Sequence, residues 1–104
     1  MKKVCNGIAA LAMIVISVGA SAADIGHGEN LAKDWCSNCH LVTSDQTSGG
    51  DSAPTFGSIA ETSAERNSDL RAWLADPHPP MPNLNLTVRE IDDLLAYIES
   101  LRDR

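Results

Sequence analysis

In the stretch Asp34-Trp35-Cys36-Ser37-Asn38-Cys39-His40, two thiols stand three residues apart and an imidazole follows the second directly. Four chemistries use such groups. A C-x-x-C-H run is the attachment signature of c-type haem. Thiols one helical turn apart can each add to one vinyl group of the macrocycle, and the following histidine then lies beneath the ring, where it can ligate iron. A zinc site takes four ligands as a rule, commonly from a second C-x-x-C or a spaced His pair. Past residue 22 the chain has no other cysteine, and its remaining histidines, His27 and His78, are far apart in sequence. A thioredoxin-type dithiol needs a neighbouring βαβ pattern, and none is visible. A disulfide across two intervening residues closes too small a loop to stabilise much. The pentapeptide favours haem attachment and leaves the other three open.

Iron in an electron carrier usually takes a second axial ligand. Two residues offer one: Met81, 41 positions after His40, and His78, three positions before Met81. A lone methionine is most often a gap-filler in an apolar core. Met81 instead lies between Pro80 and Pro82, outside the apolar helical stripes. Four prolines in six residues, Pro77 to Pro82, exclude helix and central strand. Such a segment is stiff and can hold one side chain in place with little entropy left to lose.

The elements that position these groups are helical. Gly28, Leu31, Ala32, Trp35 and Cys39 recur at helical spacing, which predicts a first helix over Ile25 to His40. A Ser-, Thr-, Asp- and Gly-rich stretch through Gly49-Gly50 reads as a loop, closed by Pro54-Thr55-Phe56 and a short helical turn near Phe56 to Ala60. Asn67 or Ser68 caps the next helix, whose buried face is Leu70, Trp73 and Leu74 and which Pro77 ends. Thr87 and Glu90 form a capping box ahead of a broad stripe of Val88, Ile91, Leu94, Leu95, Ile98 and Leu101. Asp92, Asp93, Glu99 and Arg102 are expected mostly away from that stripe. No segment alternates as a strand does, and there is no repeat. The expected fold class is all-α.

The bulk of the chain narrows the reading. Lys2 and Lys3, an apolar run from Ile8 to Val18 broken only by Ser17, and Ala20-Ser21-Ala22 read as a secretory signal peptide over residues 1–22. A cut one residue later, after Ala23, is the alternative. The apolar run is well short of the roughly 20 residues a spanning helix needs, so no stable membrane anchor is expected after cleavage. Cys5 precedes the run and leaves with it. The expected domain is then residues 23–104, with Cys36 and Cys39 in an exported, oxidising compartment.

The whole chain carries eight basic and fourteen acidic residues, net −6; loss of Lys2 and Lys3 takes it to −8. That charge excludes a nucleic-acid footprint, which is basic. It permits steering toward a basic partner, and it also serves plain solubility. From Ala23 onward only 20 residues are Val, Ile, Leu, Met, Phe, Trp or Tyr. A core that thin needs a staple such as a metal, a disulfide or a large cofactor.

Gly28 and Leu31-Ala32, Cys36-x-x-Cys39-His40, Ala53-Pro54, Met81-Pro82 and a closing Ile91-Asp92-Asp93-Leu94-Leu95-Ala96-Tyr97-Ile98-Glu99-Ser100-Leu101 together resemble the small bacterial class I cytochromes c, over nearly all of residues 23–104. The resemblance implies three to five helices around a covalently attached haem c, with Cys36 and Cys39 as thioether sites and His40 and Met81 as the axial iron ligands. It implies that the Pro54 carbonyl accepts the N–H of the proximal imidazole, and that Gly28 lies where the first and last helices cross, near Tyr97. It favours Met81 over His78, which then lies at the haem rim or on the surface. Ala53 stands where the family often has glycine. Trp35 is read as core packing in preference to a wall of the haem crevice, Trp73 equally as core or as such a wall with its N–H toward a propionate, and His27 as a surface residue. The implied function is a periplasmic one-electron carrier and not an enzyme, working between redox partner proteins that the sequence does not name. The alternative is a haem c subunit or dedicated docking partner of one periplasmic dehydrogenase or oxidase, its acidic surface against a basic face.

Overall fold

The computed structural model describes residues 7, 9–17, 22–49 and 53–102. Among them are four helices and no strand: α1 (Ile25–Trp35), α2 (Phe56–Glu61), α3 (Asn67–Ala75) and α4 (Val88–Ser100). The all-α expectation holds. Lys2, Lys3, Cys5, Ile8, Val18, Ala20 and Ser21 of the expected leader, and Gly50 of the expected loop, lie outside the described residues. Residues 9–17 form no helix, and Leu11, Met13, Ile14, Val15 and Ile16 are each at least 80% exposed. No helix among the described residues is long and apolar enough to cross a membrane.

Helix α4 is the spine against which the others pack. It opens with the predicted capping box: the Thr87 hydroxyl accepts the Glu90 N–H at 3.1 Å, and the Glu90 carboxylate accepts the Thr87 N–H at 2.7 Å. Two of the orphan donors of a helix start are thereby satisfied. Its stripe then goes inward, with Ile91, Leu94, Leu95, Tyr97 and Ile98 all buried. Burial of each large aliphatic contributes about 1.5–3 kcal/mol. Val88, the first residue of the stripe, stays outside at the helix mouth.

Helix α1 crosses α4 at Gly28. A Cβ at this position would stand 2.0 Å from the Asp93 carbonyl oxygen and 2.9 Å from the Tyr97 Cβ. Only a hydrogen fits, so the backbones meet directly. The crossing is pinned by Asp93, whose side chain was expected on the solvated side of α4 and is instead only 1% exposed. The reason is its partners. The Asp93 carboxylate accepts the Asp24 N–H at 2.7 Å and the His27 Nδ1 at 2.6 Å, with Arg89 Nε at 3.4 Å. A carboxylate out of water is tolerated when its oxygens are bonded this way. His27 is exposed, as expected, yet it ties α1 to α4.

Helix α2 packs on α4 through Phe56 and Ala60, which join Ala32, Cys36, Val42, Leu94, Tyr97 and Ile98 in one core. Helix α3 adds Leu70 to Ile91 and Leu95, with an Arg71–Asp92 ion pair at 2.8 Å on the outside. Arg66 is the N-cap of α3 and no side chain caps it, in place of the expected Asn67 or Ser68 cap. The helix ends at Asp76, the residue before Pro77, where the proline ring disfavours helical backbone.

Candidate functional site

The attachment motif is a turn rather than the end of a long helix. Helix α1 stops at Trp35, five residues short of the expected His40, with Cys36 as its C-cap. Ser37 Oγ donates back to the Lys33 carbonyl at 2.6 Å. Such local side-chain bonds compete with helix continuation. The chain then tightens: Cys39 N–H and His40 N–H both reach the Cys36 carbonyl, at 3.1 and 2.9 Å. Cys36 is buried in the core and Cys39 is exposed, so the two thiols occupy an inner and an outer position along one wall.

His40 is seated by four contacts. Its N–H donates to Cys36, and its carbonyl accepts the Gln46 Nε2 at 3.0 Å. Its ring packs on Phe56 with centroids 5.3 Å apart. Its Nδ1 lies 2.6 Å from the Pro54 carbonyl oxygen. A carbonyl only accepts, so Nδ1 carries the proton. The other ring nitrogen, Nε2, therefore keeps a free lone pair when the ring is neutral, the form that ligates a metal. Pro54 is held close because the next helix starts there: Phe56 N–H donates to the Leu41 carbonyl at 2.9 Å, and Thr55 caps α2 by accepting the Ser58 N–H.

The proline-rich segment lines the same cavity as Cys36, Cys39 and His40. Met81 N–H donates to the His78 carbonyl at 3.0 Å across a turn that includes a cis Pro79–Pro80 bond. Asn85 takes a left-handed backbone, φ 52°, and its N–H bonds the Asn83 side chain at 2.9 Å. Asparagine tolerates that conformation better than most residues.

This cavity is about 700 Å³, and Cys36, Cys39, His40, Pro54 and Met81 all line it. Every residue singled out from the sequence for the site is thus brought together. Apolar groups make most of the rest, among them Phe56, Ile59, Leu70, Leu74, Leu84 and Ile98. His78 lines the cavity too, held edge-on to Trp73 at 5.7 Å between ring centroids. Trp73 walls the cavity, the second of its two expected roles. Trp35 is 60% exposed at the cavity edge rather than packed in the core, the less favoured of its two expected places. The buried face of α1 runs at i, i+4 spacing through Gly28, Ala32 and Cys36, and Trp35 lies off that line.

Three contributors were not legible beforehand. Phe56 was placed only as the start of a short helix. Arg66, which lines the cavity and lies 4.7 Å over the Trp73 ring, gave no signal among other surface charges. Gln46 sits in a polar loop where nothing in the local pattern separates it from its solvated neighbours.

The donor set and the walls fit a flat, apolar iron macrocycle. Burial, and secondarily the neighbouring Cys39, pushes the Cys36 thiol up to about 11. A thiol that stays protonated at neutral pH is a slow redox nucleophile, because that role needs the thiolate. Among the described residues no three His, Cys, Asp or Glu side chains gather to hold a metal ion by themselves.

No family model matches the chain, and no solved structure matches it. Among curated proteins it is similar to cytochrome c-552 of Bradyrhizobium diazoefficiens strain USDA 110, with 44% identity over 92 residues that cover 88% of each chain.

Proposed function

This chain belongs to the small class I monohaem cytochromes c, electron carriers with covalently bound haem c, and from that premise we propose an exported, periplasmic carrier whose iron is held by His40 and Met81. The observation that carries the ligation is the 2.6 Å contact of His40 Nδ1 with the Pro54 carbonyl, which assigns the proton to Nδ1 and leaves Nε2 as the metal donor, with His40 and Met81 lining one cavity. Cys36 and Cys39 are the thioether sites in this reading.

When bound, the haem supplies a one-electron iron couple. The chain does the rest. Pro54 orients the imidazole and makes it a better donor to iron by drawing on its N–H. Met81 offers a neutral, polarizable sulfur, which favours the reduced state and raises the potential. Phe56, Ile59, Leu70, Leu74, Leu84 and Ile98 keep water out, and a dry pocket opposes the extra charge of the oxidised form. With both His40 and Met81 holding it, the iron would have no place for an exogenous ligand, which suits a carrier.

Export is supported by the leader-like composition of residues 1–22 and by the separation of residues 9–17 from the core, where none of the packed residues lies. The exported protein is expected to have the mass of residues 23–104, or 24–104, plus one haem retained on denaturation.

The ligation is tested with Met81→Ala. The reduced native protein is expected not to take up carbon monoxide, and the reduced variant to bind it with a shifted Soret band. A variant with the native spectrum and no ligand uptake would overturn the Met81 assignment.

A further inference from the structure

We propose that Gln46 is the positioning residue of the proximal ligand: its carboxamide fixes the backbone on both sides of His40 and thereby sets how the imidazole meets iron. The inference rests on the reading of His40 as that ligand.

One side chain makes four hydrogen bonds here. Gln46 Oε1 accepts the Val42 N–H at 2.9 Å. Gln46 Nε2 donates to three carbonyls: Ser37 at 2.9 Å, His40 at 3.0 Å and Ser48 at 2.9 Å. The orientation of the amide is dictated by its partners. An N–H only donates and a carbonyl only accepts, so a flipped amide would oppose like groups at all four contacts. Two amide hydrogens serve three acceptors, so one is shared.

The bonded segment is the attachment motif itself. Ser37 lies between Cys36 and Cys39, and His40 follows them. Val42 is held from its other end as well, because the Tyr97 hydroxyl donates to its carbonyl. Its side chain is buried in the core. Gln46 therefore links the turn that carries the thiols and the imidazole to a residue anchored on α4. Gly49 leaves room for it: a Cβ there would stand 2.8 Å from Gln46 Nε2, 3.2 Å from Leu41 Cδ2 and 3.3 Å from the His40 carbonyl oxygen.

The chemistry of the amide predicts a ranking. Gln46→Ala removes all four bonds. Gln46→Glu keeps the shape and the acceptor for Val42 but turns a carboxylate oxygen toward three carbonyls. Loss of a hydrogen bond at a half-buried site lets the segment open more often, by on the order of tenfold per bond.

The test uses the haem-loaded protein and proton NMR of its ferric form. In the native protein the His40 ring resonances should be shifted strongly by the paramagnetic iron; unshifted ones would refute the ligation reading itself. Gln46→Ala and Gln46→Glu are expected to move those resonances, to change the reduction potential, and to cut exchange protection of the His40 ring N–H on the order of tenfold. Gln46→Glu should do so more, but because it keeps the acceptor for Val42, only Gln46→Ala should cut protection of the Val42 amide by that factor. Thr87→Ala, which removes the α4 cap at a residue that neither bonds Gln46 nor lines the cavity, is the matched loss of stability that should leave the ring resonances and the potential unchanged. Native-like resonances and potential in both Gln46 variants, with only melting altered, would overturn the proposal. If neither Gln46 variant accumulates with haem, Gly49→Ala decides, since it crowds the amide without deleting it: displaced ring resonances support the proposal and native ones overturn it.

Discussion

At the scale of single residues, the site depends on atoms that have one permitted partner each. His40 is the clearest case, since the Pro54 carbonyl takes one ring nitrogen and so frees the other. Gly28 is the counterpart in packing. An alanine in a helix interior ordinarily gains about 0.5–1 kcal/mol over glycine. Here the added methyl would meet the Asp93 backbone at 2.0 and 2.6 Å, and backbone cannot swing aside as a side-chain tip can. Gly28→Ala is therefore expected to destabilise the protein, by about 3 kcal/mol as for other overpacked contacts, read as a lower denaturant midpoint for the ferric form. A neutral or stabilising result would show that the α1–α4 crossing is looser than the contact distances imply.

At the scale of elements, the crossing of α1 and α4 is governed by one buried carboxylate. The Asp24 N–H, then His27, then the Arg89 guanidinium hold the Asp93 carboxyl below the usual carboxylate range. A group whose pKa is lowered by folding stabilises the protein above its unfolded value, near 3.9, and the contribution is lost as pH falls through the folded value. Urea midpoints are thus expected to hold from neutrality to about pH 4 and to fall below it. In Asp93→Asn the neutral-pH midpoint should be lower and the acid-side fall shallower. Equal acid slopes in the two proteins would place the acid sensitivity on another carboxylate. The short α2 shows a related economy. It has six residues, and its capped start sets Pro54 and Phe56 on two sides of the same imidazole.

At the scale of the whole molecule, charge and cavity are separated. The proposed exported domain has net charge −8 after loss of Lys2 and Lys3, yet among the described residues no carboxylate lines the haem cavity and Arg66 is the only charged side chain that does. Such a charge permits steering toward a basic partner, and it serves solubility equally. With a basic redox partner, the second-order electron-transfer rate should fall as salt is raised from about 0.01 to 0.15 M, over which the screening length shrinks from about 30 to 8 Å. The first-order rate within the complex should change little. A salt-independent second-order rate would remove the case for electrostatic steering. The thin core has its explanation at this scale as well: the cavity of about 700 Å³ lies where a larger protein would place side chains, and a covalently held haem supplies that apolar bulk.

The sequence by itself determined what depends on types and spacing along the chain: the Cys36, Cys39 and His40 attachment run, the capped and striped α4, the all-α class and the exclusion of a basic footprint. The first three are local, because thioether spacing and helix periodicity are read within a few residues, and the last is a whole-chain count of charge that needs no structure. Tertiary structure alone decided the rest. It ended α1 at Trp35 and put that ring outside, buried Asp93 against α1, and turned Gln46 from a loop amide into the clamp on His40. The place of Asp93 was decided by a hydrogen-bond partner 66 positions away, which leaves no mark on the pattern around either member of the pair. The end of α1 and the Gln46 clamp rest instead on bonds spanning two to nine residues that only the folded turn brings into line.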